Sequence, residues 1–337
     1  MLNFDEDRFV RIQSGAVGLA AEIDRMIVGE LEKGAENLFF MGAGGAGILM
    51  LPAFELLRAT STMDVRLELP GEMVHVGSGV LGAHSVVVIP SLSGSTPESL
   101  EALAYCQKLG ATVISLTGDA SSPLAQGADH NITNEAADDT SSESFYLQSL
   151  LIALSVLRFR NEVDDYALIL AELELLPALL LEVKRSFEVE AEKLAENMKD
   201  ESYHVITGAG ATWPEAWYYG MCILEEMQWI RTRPVHASDF FHGTLELVEK
   251  DVSVILLAGE DKARPLVERV ERFVARYTDN VKVLDSAQAE LRGISTRVRA
   301  LVSPVVLATM LERLSAHLEV KRDHPLTTRR YYKRVAY

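Results

Sequence analysis

The chain has 337 residues, of which 48% are hydrophobic and 24% are charged. This composition is ordinary for a globular protein and excludes a mostly disordered, collagen-like or disulfide-scaffold chain. The 49 acidic and 32 basic residues give a formal charge of −17. Nucleic acid is therefore not expected as a main partner, because a chain this acidic repels polyphosphate. A length of 337 residues is sufficient for two domains.

Cysteine usage and the N-terminal sequence indicate a cytoplasmic protein. Cys106 and Cys222 lie in apolar stretches and form no CxxC pair, so a structural disulfide is not expected. The first residues are acidic and lack the basic and apolar regions of a signal peptide. The longest apolar run, 175–181, is far shorter than the roughly 20 residues that span a bilayer. We therefore expect no membrane partner.

The first half of the chain alternates between helical patterns and apolar strands. Ile23, Ile27 and Leu31 recur every four residues and predict a helix within residues 1–36. Further helices are predicted at 48–57 and from residue 97, and strands at 38–41, 65–69, 85–89 and 112–116. Because each strand is apolar throughout, the pattern is typical of a parallel sheet with helices on both faces.

The second half repeats this pattern after a helical stretch at 143–200. Strands are predicted at 204–207, 252–257 and 281–284, and helices at 214–228 and 262–276. Gly42-Ala43-Gly44 and Gly208-Ala209-Gly210 lie 166 positions apart, as do Val86 and Val252, which predicts an internal duplication. We expect an α/β fold divided into a first lobe with its N-terminal helix at 1–160, a helical connection at 161–200, a second lobe at 201–320 and a basic tail at 321–337.

The segment Gly42-x-Gly44-x-x-Gly47 matches the dinucleotide fingerprint, since it follows a predicted strand and opens a helix. Glu68 lies 21 residues beyond Gly47, roughly where a ribose-binding acid would be. A nicotinamide-dependent oxidoreductase is therefore one hypothesis. The alternative is a tight strand-to-helix turn that needs glycine for close packing. The second lobe lacks the third glycine, which weakens the match.

The loop Ser91-Leu92-Ser93-Gly94-Ser95-Thr96 is more informative. It lies between a predicted buried strand and a predicted helix N-terminus, where open α/β sheets bind ligands. Hydroxyl groups and unpaired backbone N–H groups form a neutral cradle for a phosphate monoester, and the helix dipole assists it. The loop has no Walker-type lysine, so it does not predict a nucleoside triphosphate site.

These features resemble the sugar isomerase (SIS) family over about residues 20–337. Ser91-x-Ser93-Gly94-x-Thr96 is similar to the family's phosphate loop. The duplicated lobes are similar to its two-domain members, such as the isomerase half of glucosamine-6-phosphate synthase and the fructosamine-6-phosphate deglycases. The resemblance implies two tandem three-layer α/β/α lobes. It also implies these substrate-binding residues: Gly45, Ser91, Ser93, Ser95, Thr96, Ser142 and Lys333.

The same resemblance implies a catalytic pair in the second lobe. The family's proton-transfer glutamate and a histidine 16 residues later match Glu226 and His242. A carboxylate can take a C–H proton next to a carbonyl, and an imidazole can open a sugar ring near neutral pH. His236, Asp239 and His242 could instead be considered as metal ligands, but their spacing makes a weak site and we expect no metal.

Departures from the synthase-type isomerases indicate a different reaction. Gly45 and Ala46 replace their Thr-Ser, Thr244 replaces the proline of their Gly-Pro, and Glu143 replaces a lysine. The stretch from Asp323 to Tyr331 resembles the tail of the fructosamine-6-phosphate deglycases, and by analogy Lys333 reaches the active site.

We therefore expect a cofactor-independent enzyme that cleaves a 6-phosphorylated Amadori compound to glucose 6-phosphate and a free amine. The phosphosugar is the expected small-molecule partner, and a homodimer with active sites at or near the subunit interface is expected. The alternatives are a phosphosugar aldose–ketose isomerase, a non-catalytic phosphosugar-binding protein and the nicotinamide-dependent oxidoreductase.

Overall fold

A computed structural model describes residues 1–137, 139–332 and 334–336. The chain divides into two compact units. The first unit is Asp7–Pro177, and the second unit combines Met1–Glu6 with Ala178–Tyr337.

The described strands of the first unit form one parallel sheet. They are β1 (Asn37–Met41), β2 (Asp64–Glu68), β3 (Ser85–Ser91), β4 (Thr112–Thr117) and β5 (His130–Thr133). Their order is β2-β1-β3-β4-β5. β1 and β3 are buried along their whole length because every side chain packs inside the unit. The four strands predicted in this half are confirmed, and β5 was not predicted.

Helices surround this sheet. They are α1 (Glu6–Gly18), α2 (Ala20–Glu32), α3 (Gly44–Ile48), α4 (Leu51–Thr60), α5 (Pro70–Val76), α6 (Pro97–Lys108), α7 (Pro123–Gly127), α8 (Ser141–Phe159) and α9 (Tyr166–Leu173). Pro97 is in the first turn of α6, as its missing N–H favours. The core between the sheet and α6 contains Phe39, Val87, Leu103 and Val113, all buried. Burial of such side chains is the main stabilising contribution to a unit of this kind.

The second unit repeats the architecture with a smaller parallel sheet. Its strands are β6 (Tyr203–Gly208), β7 (Arg231–His236), β8 (Ser253–Ala258) and β9 (Val281–Asp285), in the order β7-β6-β8-β9. The helices of this half are α10 (Leu176–Met198), α11 (Trp213–Tyr218), α12 (Arg264–Val274) and α13 (Thr296–Lys321). The predicted α/β fold of two sheet-and-helix lobes is confirmed, and β7 and α13 were not predicted.

The predicted internal repeat is seen in the strand pairing of the two sheets, but the pairing in the second sheet is displaced by one residue from the 166-residue offset. Leu38 pairs with Val86 in the first sheet, whereas His204, 166 positions after Leu38, pairs with Ser253 in the second. Val252 lies just before β8 and is therefore not the structural counterpart of Val86. The glycine landmarks keep their equivalence, since Gly42 directly follows β1 and Gly208 ends β6.

Among the described helices, α13 has the length and apolar composition to cross a membrane. However, 89% of its apolar window is buried inside the structure. Val302, Val305 and Leu314 are each 0% exposed, so α13 packs as a core helix of the second unit.

Candidate active site

The turn after β1 and the hydroxyl loop after β3 lie side by side in the first unit. β1 and β3 are adjacent and parallel, and the strand order reverses between them, since β2 lies on the other side of β1. In open α/β sheets this switch point is where ligands bind, at the carboxyl ends of the strands. Residues 42–47 and 91–96 therefore line the predicted ligand-binding edge.

The hydroxyl loop presents two exposed serines and one buried one. Ser93 and Ser95 are exposed, and the Ser95 hydroxyl donates to the Ser93 hydroxyl at 3.1 Å. Ser91 is 3% exposed, and its hydroxyl lies 3.2 Å from that of Thr96. Thr96 is the N-cap residue of α6, but its side chain makes no capping hydrogen bond. The structure thus brings four predicted residues together at the N-terminus of one helix.

Gly94 fixes the shape of this loop. Its φ of +57° lies in the left-handed region that disfavours a side chain. A Cβ at this position would lie 2.0 Å from the Ser122 hydroxyl oxygen. The Gly94 carbonyl accepts a hydrogen bond of 3.0 Å from Leu124 N, so the loop is anchored to α7. The backbone of the hydroxyl loop is therefore preformed.

In the glycine-rich turn after β1, two positions are packed too closely to accommodate a side chain. A Cβ on Gly47 would lie 2.2 Å from the Gly42 carbonyl oxygen, and one on Gly42 would lie 2.8 Å from the Pro90 side chain. These contacts account for Gly42 and Gly47 without a dinucleotide. Gly45 is half-buried in α3 and offers backbone atoms at the same edge of the sheet.

Ser142 lies in the first turn of α8, after the loop that leaves β5. It is 9% exposed, and its hydroxyl donates to a Glu143 carboxylate oxygen at 3.2 Å. Glu143, which the sequence comparison with the synthase-type isomerases predicts to stand in place of a lysine, is a buried acid with 0% exposure.

The second unit has a counterpart of the turn, but Asp261 occupies it. Gly44 and Gly210 have nearly equal φ angles of +54° and +56°. A Cβ on Gly44 would have no atom within 4 Å, whereas one on Gly210 would lie 2.3 Å from an Asp261 carboxylate oxygen. Asp261 accepts hydrogen bonds of 2.8 Å from both Ala211 N and Ala263 N. An internal carboxylate thus takes one backbone donor of this turn, Ala211 N, that an anionic ligand could use.

Glu226 follows a stretch of π-helix within the helix predicted at 214–228. After α11, residues Tyr219–Glu225 form the π-helix, and Glu226 N donates to the Met221 carbonyl at 3.1 Å. Such π segments are rare and occur frequently at functional sites. The wider turn changes the direction in which the following side chains point. The predicted helix is therefore present but ends at Glu225 instead of Gln228, and its π segment was not predicted.

The environments of Glu225 and Glu226 differ. Glu225 accepts hydrogen bonds from Thr232 N at 3.1 Å and from the Thr232 hydroxyl at 2.7 Å. Glu226 forms an ion pair with Arg329, with 2.8 Å between Oε1 and Nε. The Glu226 side chain keeps 32% of its surface exposed. Glu226 is therefore held by a cation while remaining accessible to a ligand.

His242 is exposed on a turn that its neighbours anchor. Its backbone N–H donates to the Asp239 carbonyl at 2.9 Å. Phe240 is 0% exposed, and the Thr244 hydroxyl accepts a hydrogen bond of 3.0 Å from Arg233 Nε. The imidazole is thus presented to solvent between two fixed points.

Neither metal nor cysteine chemistry is indicated within the described residues. No three His, Cys, Asp or Glu side chains there come together as metal ligands, so His236, Asp239 and His242 form no such group. Burial raises the pKa of Cys106 to about 12. Burial, together with Glu226, Glu215 and Glu225, raises the pKa of Cys222 to about 12. Both thiols stay protonated near neutral pH, which makes them poor nucleophiles.

Sequence reasoning missed two features of the surroundings of Glu226. The π-helix leaves no recognisable composition, and the partner of Glu226 lies 103 positions away in the sequence. The sequence shows that the tail is basic, but its charge alone does not identify the acidic residue with which it forms an ion pair. Lys333, predicted to reach the active site, lies outside the described residues.

Three comparisons place the chain among known proteins. The model of the SIS domain matches residues 33–158. The chain is 30% identical to the fructosamine deglycase FrlB of Bacillus subtilis over 90% of this chain and 94% of that one. It is 29% identical to the fructoselysine 6-phosphate deglycase of Escherichia coli K12 over 71% of this chain and 68% of that one. A crystal structure of a "putative phosphosugar isomerase" from Bacillus subtilis matches with a TM-score of 0.89, at 29% identity, over 96% and 99% of the two chains.

Proposed function

This chain belongs to the SIS-domain family, and from that premise we propose that it is an enzyme that cleaves a 6-phosphorylated fructosamine. The products are glucose 6-phosphate and a free amine or amino acid. The observation that carries the proposal is the preformed hydroxyl loop at the switch point of the first sheet. Two proteins that are similar to this chain over most of its length are named as deglycases, and those names support the choice of substrate class.

The substrate's phosphate is proposed to bind at the N-terminus of α6. The hydroxyls of Ser91, Ser93, Ser95 and Thr96 can donate to phosphate oxygens, and the positive end of the helix favours the dianion. Charge-assisted hydrogen bonds of this kind are about twice as strong as neutral ones. The remaining proposed contacts come from the Gly45 backbone, Ser142 and Lys333.

Glu226 is proposed as the base that moves a proton between C1 and C2 of the open-chain substrate. Its carboxylate removes a proton from C1, and the C1–H electron pair shifts toward the C2 carbonyl to form an enaminol. Return of the proton to C2, with loss of the N–H proton that balances the proton taken up by the C2 oxygen, leaves a C1=N imine. Water then adds to C1, and the C–N bond breaks to release the amine. The steps need no external oxidant, reductant or cofactor, because the substrate's carbonyl accepts the electrons.

His242 is proposed to open the sugar ring. An imidazole has a nitrogen that can take the anomeric hydroxyl proton and return a proton to the ring oxygen. Its exposed position on an anchored turn supports this role.

The likeness to a named phosphosugar isomerase supports one second candidate, an aldose–ketose isomerase. The same base would move a proton between C1 and C2 of a phosphosugar that carries oxygen at both carbons. Release of an amine separates the two reactions. We further propose a homodimer in the cytoplasm, with active sites at or near the subunit interface.

The test is incubation with fructoselysine 6-phosphate, other 6-phosphorylated fructosamines and plain sugar phosphates, following free amine and glucose 6-phosphate. Equal amounts of amine and glucose 6-phosphate are expected from the fructosamines. Interconversion of sugar phosphates without amine release would favour the isomerase. Calorimetry with NADH and NADPH provides the control, and saturable micromolar binding would contradict the proposal.

A further inference from the structure

The C-terminal segment (322–332) folds back onto the turn that carries Glu226. Leu326 N donates to the Glu319 carboxylate at 2.9 Å, and Gln228 Nε2 donates to the His324 carbonyl at 2.7 Å. The Trp229 and His324 rings pack edge to face, with 4.6 Å between their centroids. The segment is therefore a folded structure fixed beside Glu226 rather than a solvated basic tail.

Arg329 is the member of this segment that contacts Glu226. Its NH1 donates to the carbonyls of Leu326 at 2.6 Å and Thr328 at 3.0 Å, and its Nε lies 2.8 Å from Glu226 Oε1. The Arg329 side chain is 13% exposed. Because the segment's own backbone holds one side of the guanidinium, the Nε–H is aimed at the carboxylate before any substrate binds.

The backbone beside Glu226 also needs this support. Trp229 has a φ of +55°, which is an outlier for a bulky residue. Such conformations persist where the surroundings hold them. The Arg330 guanidinium lies 4.2 Å from the Trp229 ring centroid, so the segment covers the strained residue as well as the carboxylate.

We infer that Arg329 is a positioning residue for the proposed base: it orients the Glu226 carboxylate and places a positive charge beside it. The inference rests on the proposed function. Arg329 binds no reacting atom in this scheme and acts through Glu226.

The charges around Glu226 make this cation important. Glu215, Glu225 and Glu226 all act on the buried Cys222 thiol, and Arg329 opposes them, so these groups share one electrostatic neighbourhood. Removal of Arg329 leaves the carboxylates without its positive charge. A carboxylate that loses a close cation and remains near other carboxylates is harder to ionise. The acid limb of the kcat/KM profile should therefore move to higher pH.

The experiment compares R329M, R329K and R292M with the wild type on fructoselysine 6-phosphate between pH 5 and 9. R329M should lower kcat by about tenfold or more, change KM much less, and raise the acid limb by about half a pH unit or more. R329K should recover much of the rate and of the pH profile, because it keeps the charge. R292M, which removes an exposed cation that pairs with Glu290 outside this segment, should stay within about twofold of the wild type.

A double variant separates positioning from general destabilisation. In the E226Q background, R329M should cause little further loss, because Arg329 would act only through the carboxylate. The wild type could be active while R329M keeps or exceeds the wild-type kcat, or while its acid limb stays at the wild-type pH. Either result would overturn the inference and leave the proposed function standing. A wild type that releases no amine from any phosphorylated fructosamine would overturn both.

Discussion

Glu226 and Glu225 are adjacent residues that meet different partners, and this makes them a matched pair. Glu226→Gln keeps the shape of the side chain and removes the proposed base, so kcat should fall by about 10²–10⁴-fold. Glu225→Gln keeps an oxygen that can accept from Thr232 and should retain most of the activity. Steady-state kinetics on a phosphorylated fructosamine, with thermal melts to check folding, measure both. A dead Glu225 variant beside a fully active Glu226 variant would refute the assignment.

His204 is a buried histidine in a strand, away from the proposed chemistry. Its Nδ1 lies 2.7 Å from the Ser253 hydroxyl, and its Nε2 has no hydrogen-bond partner among the described residues. Burial, together with the charges of Lys282 and Arg322, lowers the pKa of His204 to about 3. The ring is therefore neutral in the folded chain, whereas the unfolded chain takes up a proton below about pH 6.5.

It follows that the fold should lose stability as the pH falls below about 6.5. Between this value and about 3, the unfolded state binds more protons at this site. At pH 5 the loss amounts to about 2 kcal/mol relative to pH 8. Urea unfolding at the two pH values should show a smaller difference for His204→Gln than for the wild type. His84→Gln, at an exposed position, is the control and should keep the wild-type difference.

At the scale of elements, the hydroxyl loop and α6 act together. Ser93→Ala and Thr96→Val should each weaken phosphosugar binding by about 1–3 kcal/mol, since each removes a hydrogen bond to a charged group. Ser121→Ala is a matched control, because the exposed Ser121 hydroxyl donates to Asp119 at 2.7 Å in a separate turn. Calorimetry with glucose 6-phosphate and with glucose provides the measurement. Equal binding of the two sugars by the wild type would contradict a phosphate site in this loop.

Strands with apolar runs were predicted, whereas the polar strands β5 and β7 were missed, and so was α13 despite its apolar sequence. β3 and β8 are buried on both faces and therefore appear as unbroken apolar runs. β5 and β7 are edge strands, and β7 carries Arg231, Arg233 and Pro234, which an edge tolerates. Polar edge sequences give no strand signal on their own. The π-helix before Glu226 is set by packing rather than by composition, so it could not be predicted either.

The candidate site was predictable to the extent that local sequence encodes it. Ser91 to Thr96 form one continuous loop, so the sequence alone shows that hydroxyl groups are concentrated there. The pairing of Glu226 with Arg329 and the occupation of the second turn by Asp261 are contacts between distant segments. One sequence does not reveal which distant residues meet, because composition fixes their charge and not their position.

At the scale of the whole molecule, the first six residues belong to the unit formed by the end of the chain. Leu2 N donates to Glu188 Oε1 at 2.7 Å, and the Leu2 carbonyl accepts from Arg313 NH2 at 2.7 Å. The Arg313 guanidinium also lies 5.0 Å from the centre of the Phe4 ring. The Arg313 side chain is 0% exposed, so these N-terminal residues help to satisfy a buried charge.

Deletion of residues 2–5 should therefore destabilise the protein far more than a surface truncation would. Loss of the partners of a buried guanidinium costs about 2–4 kcal/mol. Burial alone would raise the pKa of Glu188, but Arg313 and Leu2 N lower it to about 2. This carboxylate thus contributes stability that is present above about pH 4.5 and is lost as the pH falls toward 2. The deletion should reduce that contribution, so acid unfolding should begin at a higher pH. Urea unfolding at pH 7 and an acid titration followed by circular dichroism measure the two effects.

The matched control is Arg185→Gln. Arg185 pairs with Glu6 at the surface, where both side chains are more than a third exposed. Exposed ion pairs are worth about 0–1 kcal/mol, so this variant should unfold close to the wild type. If the deletion cost no more than Arg185→Gln, the N-terminal residues would contribute only surface contacts. A cost several times larger would mean that residues 2–5 are part of the core of the second unit.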